Sequence, residues 1–310
     1  MAEKLLYLLP VLLLVTLATT LLIDLLPGDP AVTVLGLGAT PEQVERINTE
    51  YGFDRPFYER YVTWLFGALT GDFGNSLVTS RPVLAEITAR LPVTIQLTAM
   101  SLVLAVVFAI ILALVAAVKE GSKFDRMMAA LASASMSVPP FVAAVVLVFI
   151  FALVLGWSPV AGYSPLRDGL GRNLYYMALP VITMAMLETG FFYRILRGDL
   201  GTTLREDYIL AARSKGLGTG YIMLRHALRP SLFSLMAMVG LSVGRLLGGS
   251  VIVEYFFSIP GLGQLLVNSV TTLDIPVIQA SVVLIAIFYV LINSTVDVLY
   301  SVVDPRVKLR

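Results

Sequence analysis

Asp207-Tyr208-Ile209-Leu210-Ala211-Ala212-Arg213-Ser214-Lys215-Gly216-Leu217 is a polar island between two strongly apolar runs, near 174–197 and 230–253. Each run is long enough to cross about 30 Å of hydrocarbon. The island therefore sits in water at a membrane surface, and the chain crosses a bilayer on either side of it. Its composition is that of a short, stiff helix. Thr203 and Glu206 have the capping-box spacing, which would satisfy exposed N–H groups at the start. Glu206 and Asp207 put negative charge at the N-terminal end, and Arg213 and Lys215 put positive charge at the C-terminal end. Both complement the helix dipole. Gly216, before Leu217, supplies the left-handed residue that stops a helix. Ala211 and Ala212 keep one face small. A capped, charged helix with a small face is suited to docking into a cleft of another protein.

Composition agrees. Of 310 residues, 57% are hydrophobic and only 14% charged, and the mean hydropathy is +0.86. So little charge cannot cover a soluble surface, which implies an integral membrane protein. The net charge of +1 gives no reason to expect nucleic acid as a partner. The absence of cysteine excludes disulfides and thiolate chemistry. With one histidine and no His/Glu cluster, no metal site is expected. No Gly-x-x-x-x-Gly-Lys-Ser/Thr loop and no nucleophile–base spacing occurs, so the chain is not expected to be an enzyme or to bind a cofactor itself.

Six apolar runs lie near 5–26, 93–118, 130–156, 174–197, 230–253 and 277–300. The first carries Glu3 beside Lys4 and lacks a small-x-small cleavage site, so it reads as an uncleaved helix rather than a signal peptide. Lys and Arg set the orientation. With the N-terminus inside, fourteen basic residues fall on the cytoplasmic side and seven outside. The expected fold is an all-α polytopic membrane protein with six transmembrane helices and both termini cytoplasmic. Residues 1–26 form the first span, 27–92 a long helical extracytoplasmic loop, 93–300 a five-helix core and 301–310 a cytoplasmic tail. The core includes a cytoplasmic loop over 198–229, whose short helix lies between spans four and five.

In the outer loop, Thr40, Pro41 and Gln43 read as a helix start that Gly52 ends. A second helix runs from Pro56 to about Leu69, with Phe57, Tyr61, Leu65 and Leu69 on one apolar face. Pro139 and Pro140 predict a kink or break in the third run. Residues 254–276 read as an outer connection, in which Gly263 to Val270 forms a short helix. Inside the membrane, Glu188 and Arg245 are the two ionisable residues well within a span, and are candidates for the translocation pathway. Each costs about 2.5–3.5 kcal/mol to insert. They either pair at a helix interface or line a wet cavity. Gly240, Gly244 and Gly248 repeat at a spacing that lets helices approach closely.

The polar island resembles the EAA loop of ABC importer permeases, which engages the ATPase subunit. The triplet reads Leu210-Ala211-Ala212, with Gly216 at the glycine position and His226-Ala227-Leu228-Arg229 downstream. The Glu, Ile and Pro of the general pattern are replaced, and this variant is similar to the dipeptide/oligopeptide/nickel branch. Leu26-Pro27-Gly28-Asp29-Pro30, Gly52-Phe53-Asp54-Arg55-Pro56, Gly71-Asp72-Phe73-Gly74-Asn75-Ser76, Arg90-Leu91-Pro92-Val93-Thr94, Phe257 to Gly263 and Asp274 to Ile278 follow in that branch's order. The resemblance covers nearly the whole chain. It implies a permease subunit in the cytoplasmic membrane of a prokaryote, importing peptides or a related small solute by alternating access. It further implies a second, related permease, two cytoplasmic ATPase subunits that use ATP and Mg, and an extracytoplasmic solute-binding protein. Glu206, Asp207, Tyr208, Ala211, Ala212, Arg213, Lys215, Gly216 and Leu217 would then couple to the ATPase. The alternative is an ATP-independent secondary transporter or channel, which would be expected to show midplane coupling carboxylates and an internal repeat.

Overall fold

The structure is a computed structural model that describes residues 10, 12–21, 30–35 and 39–303. In chain order the helices are α1 (Leu12–Leu21), α2 (Pro30–Leu35), α3 (Pro41–Tyr51), α4 (Phe57–Thr70), α5 (Val83–Val118) and α6 (Lys123–Ser137). There follow α7 (Pro140–Val154), α8 (Leu170–Thr203), α9 (Asp207–Ser214), α10 (Thr219–Phe256), α11 (Leu262–Thr271) and α12 (Ile275–Val303). Val148–Val154 in α7 and Ile222–Ala227 in α10 are π-helical. Among the described residues there is no strand beyond one isolated bridge between Asn75 and Pro82.

Val83–Val118, Leu170–Thr203, Thr219–Phe256 and Ile275–Thr295 are each long and apolar enough to cross a membrane, and α6 and α7 together qualify as a fifth, bent by 110°. The chain is thus a multi-pass, all-helical membrane protein. The run 5–26 lies partly outside the described residues, and its described part carries α1. The predicted break at Pro139 and Pro140 is present. Neither proline can donate a backbone hydrogen bond, so α6 stops at Ser137 and α7 starts with Pro140 in its first turn. The helix begins at Lys123, before the apolar run, because the Ser122 hydroxyl caps it by accepting from the Asp125 N–H at 3.2 Å. α5 likewise begins well before the run at 93 and carries Pro92 inside it.

The chain divides into two compact units, residues 1–94 with 260–291 and residues 95–259 with 292–310. In the first unit, the α3 start follows the predicted capping box. Gln43 N–H donates to the Thr40 hydroxyl at 3.4 Å, and Thr40 N–H donates to the Gln43 side chain at 3.0 Å. Gly52 ends α3 at φ 69°, in the left-handed region. α4 departs from the single apolar face expected. Phe57 and Tyr61 stack within the unit, but Leu69 is exposed and so are Tyr58, Val62 and Phe66, so the helix is apolar on two sides.

The core of this unit is Phe73, Val83, Ile87, Leu262, Leu265, Val277 and Ala280. Beside it, buried Asp274 accepts from the Ser76 hydroxyl and, at 3.0 Å, from the Leu77 N–H. These two bonds fasten the 72–82 loop to the start of α12. Asp274→Ala leaves the Leu77 N–H without its acceptor, an expected loss of about 1–3 kcal/mol. Faster protease cleavage within residues 72–82 of the detergent-purified protein checks it; an unchanged cleavage rate would count against the fastening role.

The second unit is built on small residues. Ala105, Ala109, Ala113, Ala116 and Ala117 of α5 share a buried core with Ala185, Phe192, Tyr193, Leu196 and Leu200 of α8 and with Met223, Ala227 and Leu235 of α10. Alanine stripes let helix backbones approach without a void. α6 approaches α8 at Gly190, where an added Cβ would lie 2.8 Å from the Ala132 carbonyl oxygen. An ionic cluster joins the α5–α6 turn to the end of α8. Arg197 donates to Asp125 at 3.0 Å, and Arg205 donates to Glu120 at 3.2 Å.

Candidate functional site

The polar island folds as a helix, but not by the cap expected. α8 runs on through Thr203, because Leu196 and Leu200 continue its buried face past the apolar run. Thr203 is therefore the last residue of α8, with its hydroxyl 3.3 Å from that of Ser231, and it caps nothing. Glu206 takes the N-cap position of α9 with extended backbone and no side-chain cap bond. The dipole-matching charges are as expected, with Asp207 in the first turn and Arg213 in the last. Lys215 is the C-cap. Gly216 follows at φ 77°, its N–H donating to the Arg213 carbonyl at 2.9 Å. Nothing lies within 4 Å of where its Cβ would be, so backbone conformation rather than space calls for glycine there.

The two alanines part company. Ala212 is buried with Ile209, Ile222 and Leu204, so it faces its own chain. Ala211 is exposed, as are Asp207, Tyr208, Leu210, Arg213, Lys215 and Leu217. The expectation that Ala212 lies on an outward small face is thus corrected: α9 is seated through Ile209 and Ala212. The Tyr208 hydroxyl donates to the His226 carbonyl at 3.3 Å, tying α9 to the π-helical turn of α10. Burial pushes the Tyr208 phenol up, and the Glu206 carboxylate adds to it, so the hydroxyl keeps its proton at neutral pH. The sequence reading named Leu210 in the triplet but not among the coupling residues, and it passed over Tyr221 and Leu224; all three are exposed apolar residues of the same segment. Their signal was present: large apolar residues inside a polar island.

Deeper in the same unit, Glu188 of α8 and Arg245 of α10 form a two-point ion pair. Arg245 Nε donates to one Glu188 oxygen at 2.9 Å and Nη2 to the other at 2.7 Å. Nη2 also reaches the Ser242 hydroxyl at 2.7 Å, and the guanidinium lies 4.8 Å from the centre of the Phe191 ring. Of the two arrangements left open by sequence, pairing is the one found. The side chain of Glu188 is 1% exposed, whereas that of Arg245 is 49% exposed. Gly240 and Gly244 of α10 are buried, but Gly248 is exposed with open space around it. Eight residues advance an α-helix by about 80° beyond whole turns, so Gly248 lies at the outer edge of the stripe that begins at Gly240.

Residues 105–309 match the family described as binding-protein-dependent transport system inner membrane component, and residues 2–98 match its N-terminal companion. The chain belongs to this family. A Brucella abortus protein named as a peptide transport system permease is 39% identical over 96% of this chain and 95% of its own. The dipeptide transport system permease protein DppB of Alkalihalophilus pseudofirmus is 34% identical over 99% of this chain and 98% of its own. The glutathione transport system permease protein GsiC of Escherichia coli is 36% identical, also over 99% and 98%. A crystal structure of an amino acid ABC transporter with histidines aligns with a TM-score of 0.49 at 18% identity, over 72% of this chain and 94% of that one. As a binding-protein-dependent permease, the chain is the membrane component of a transport system and not itself an enzyme. The family assigns it to binding-protein-dependent transport rather than to the ATP-independent class also open in the sequence.

Proposed function

We propose that the chain is one permease of a peptide-type ABC importer in the cytoplasmic membrane of a prokaryote. The observation that carries this is full-length similarity to permeases named for peptide, dipeptide and glutathione transport. A second, related permease completes the pathway. Two ATPase subunits that use ATP and Mg bind the cytoplasmic side, and a solute-binding protein delivers peptide from outside. α9 is the coupling helix. Its exposed residues Asp207, Leu210, Ala211 and Arg213 meet the ATPase, while Ile209 and Ala212 transmit displacement to α10. Glu188 and Arg245 belong to the translocation pathway, and Gly248 packs against the second permease or faces the solute.

The reading includes six spans with both termini inside, and the ionic cluster supports one of them, the α6–α7 pair. Arg205–Glu120 and Arg197–Asp125 hold the end of α5 and the end of α8 at one level. A chain that leaves α5 at that level and returns to it through α8 has to cross in between, which favours the α6–α7 pair as one broken span over a re-entrant loop.

Mild-detergent purification with mass spectrometry and an ATPase assay tests the assembly. Co-purifying P-loop ATPases with turnover are expected, and a chain recovered only with itself would overturn the reading. Exposed Ala211→Arg is expected to lower ATPase recovery at least tenfold with unchanged melting, since a buried wrong charge at an interface costs several kcal/mol. Ala212→Asp is expected to lower the melting temperature instead, because it buries a carboxylate among Ile209, Ile222 and Leu204. Equal ATPase recovery from Ala211→Arg and wild type would remove α9 from the interface.

A further inference from the structure

Arg245 has an edge that its own chain does not use. Nε and Nη2 are committed to Glu188 and Ser242, while no described residue gives Nη1 an acceptor. The Arg245 side chain is half exposed, and so are its neighbours along one side of α10. Leu241 and Ile252 are exposed, and Gly248 has no atom within 4 Å of where its Cβ would stand. Leu241, Arg245, Gly248 and Ile252 are spaced by four, three and four residues, which is one side of a helix. Hydrocarbon offers no acceptor for a guanidinium edge, so this side of a spanning helix calls for water or an anionic group.

Glu188 is placed differently. It is buried, and both of its oxygens are taken by Arg245. At 1% exposure it is out of reach of a solute cation. Together with the Phe191 ring it holds the guanidinium plane still, so the two Nη1 hydrogens are offered to a carboxylate in a fixed direction.

We propose that Arg245 is the carboxylate-reading residue of the solute pathway. Glu188 is its positioning residue, and Leu241, Gly248 and Ile252 form the adjoining wall. This rests on the permease reading above and narrows it: the site takes solutes with a free carboxylate and does not read their amine. It also revises the simplest use of the pair, in which each charge would bind the opposite charge of a zwitterion.

The chain has no cysteine, so Gly248→Cys gives a reporter unique within this chain of the assembled transporter. Its rates with an anionic sulfonatoethyl and a cationic trimethylammonioethyl methanethiosulfonate are compared. The introduced thiol is expected to react with both, and adding Arg245→Gln is expected to lower the anionic-to-cationic ratio about tenfold, the effect of one nearby unit charge. Millimolar dialanine is expected to slow the reaction, and its C-terminal amide is not. Arg245→Lys keeps the charge ratio and loses the protection, because an ammonium on a flexible stem does not offer donors in a fixed plane. Glu188→Gln removes the opposing charge and so raises the ratio, but it weakens the protection, which a purely structural role would not do. No reaction with either reagent, a ratio indifferent to Arg245→Gln, or equal protection by dialanine and its amide would each overturn the proposal. Leu241→Cys gives the same readout where Gly248→Cys does not assemble. None of these rates depends on ATP turnover, so the assembly test can fail separately.

Discussion

Gly190→Leu is expected to prevent the second unit from packing, with a loss of at least about 3 kcal/mol from overfilling. At Gly190, α8 touches α6 backbone to backbone. A Cβ there would lie 2.8 Å from the Ala132 carbonyl oxygen and would also strike the Ser135 hydroxyl. The carbonyl oxygen belongs to a helix backbone and cannot swing aside. α6 would have to move off α8, taking with it the Asp125–Arg197 bonds that lie further along the same pair. The measurement is thermal unfolding in detergent, with Gly198→Leu as control. Gly198 is on the same helix with nothing within 4 Å of its Cβ position. A Gly190→Leu protein that melts with the control would mean that α6 and α8 do not meet at this point.

The second large effect is an asymmetry. Arg245→Ala is expected to cost more than Glu188→Gln, although the two residues make the same ion pair. Removing the arginine strands a carboxylate that is 1% exposed, for which breaking a buried pair costs about 3–5 kcal/mol. Glu188→Gln keeps the shape and leaves the guanidinium, which is 49% exposed and still bonded to Ser242, so the loss is about 1–2 kcal/mol. The double variant Glu188→Gln with Arg245→Ala is expected to lose less than the two single losses together, since the pair is coupled. Melting temperatures of the variants under one set of conditions decide the matter. The reverse order would place the exposed side of Arg245 against protein rather than water.

Much of this was legible in the sequence where a single residue type dictates the backbone. Pro139 and Pro140 broke their run, Gly52 and Gly216 adopted the left-handed conformation, and Thr40 with Gln43 formed a true capping box. Thr203 and Glu206 have the same spacing as Thr40 and Gln43, yet no box forms. The difference is tertiary: Leu196 and Leu200 are buried against α5 and α10 and carry the helix past Thr203. Apolar runs located the spans but not the helix ends, because Lys123, Phe124 and Asp125, or Val83 to Arg90, extend a helix without extending its hydrophobic stretch. At the site, Glu188 and Arg245 were identifiable as costly residues in apolar runs. That one would be buried and the other half-open depended on which sides of α8 and α10 face each other, and no local pattern fixes that.

The π-helical turn at Ile222–Ala227 has a practical bearing on anyone mapping α10. A turn closed by i→i+5 bonds holds one residue more than an α-turn, and each residue rotates the helix by about 100°. A periodicity analysis that runs unbroken from Thr219 to Phe256 therefore slips phase inside that turn. An alanine or cysteine scan of this helix has to be fitted as two separate waves, one before Ile222 and one after Ala227. Fitted as one wave, residues before the turn would be placed about 100° from their true side of the helix.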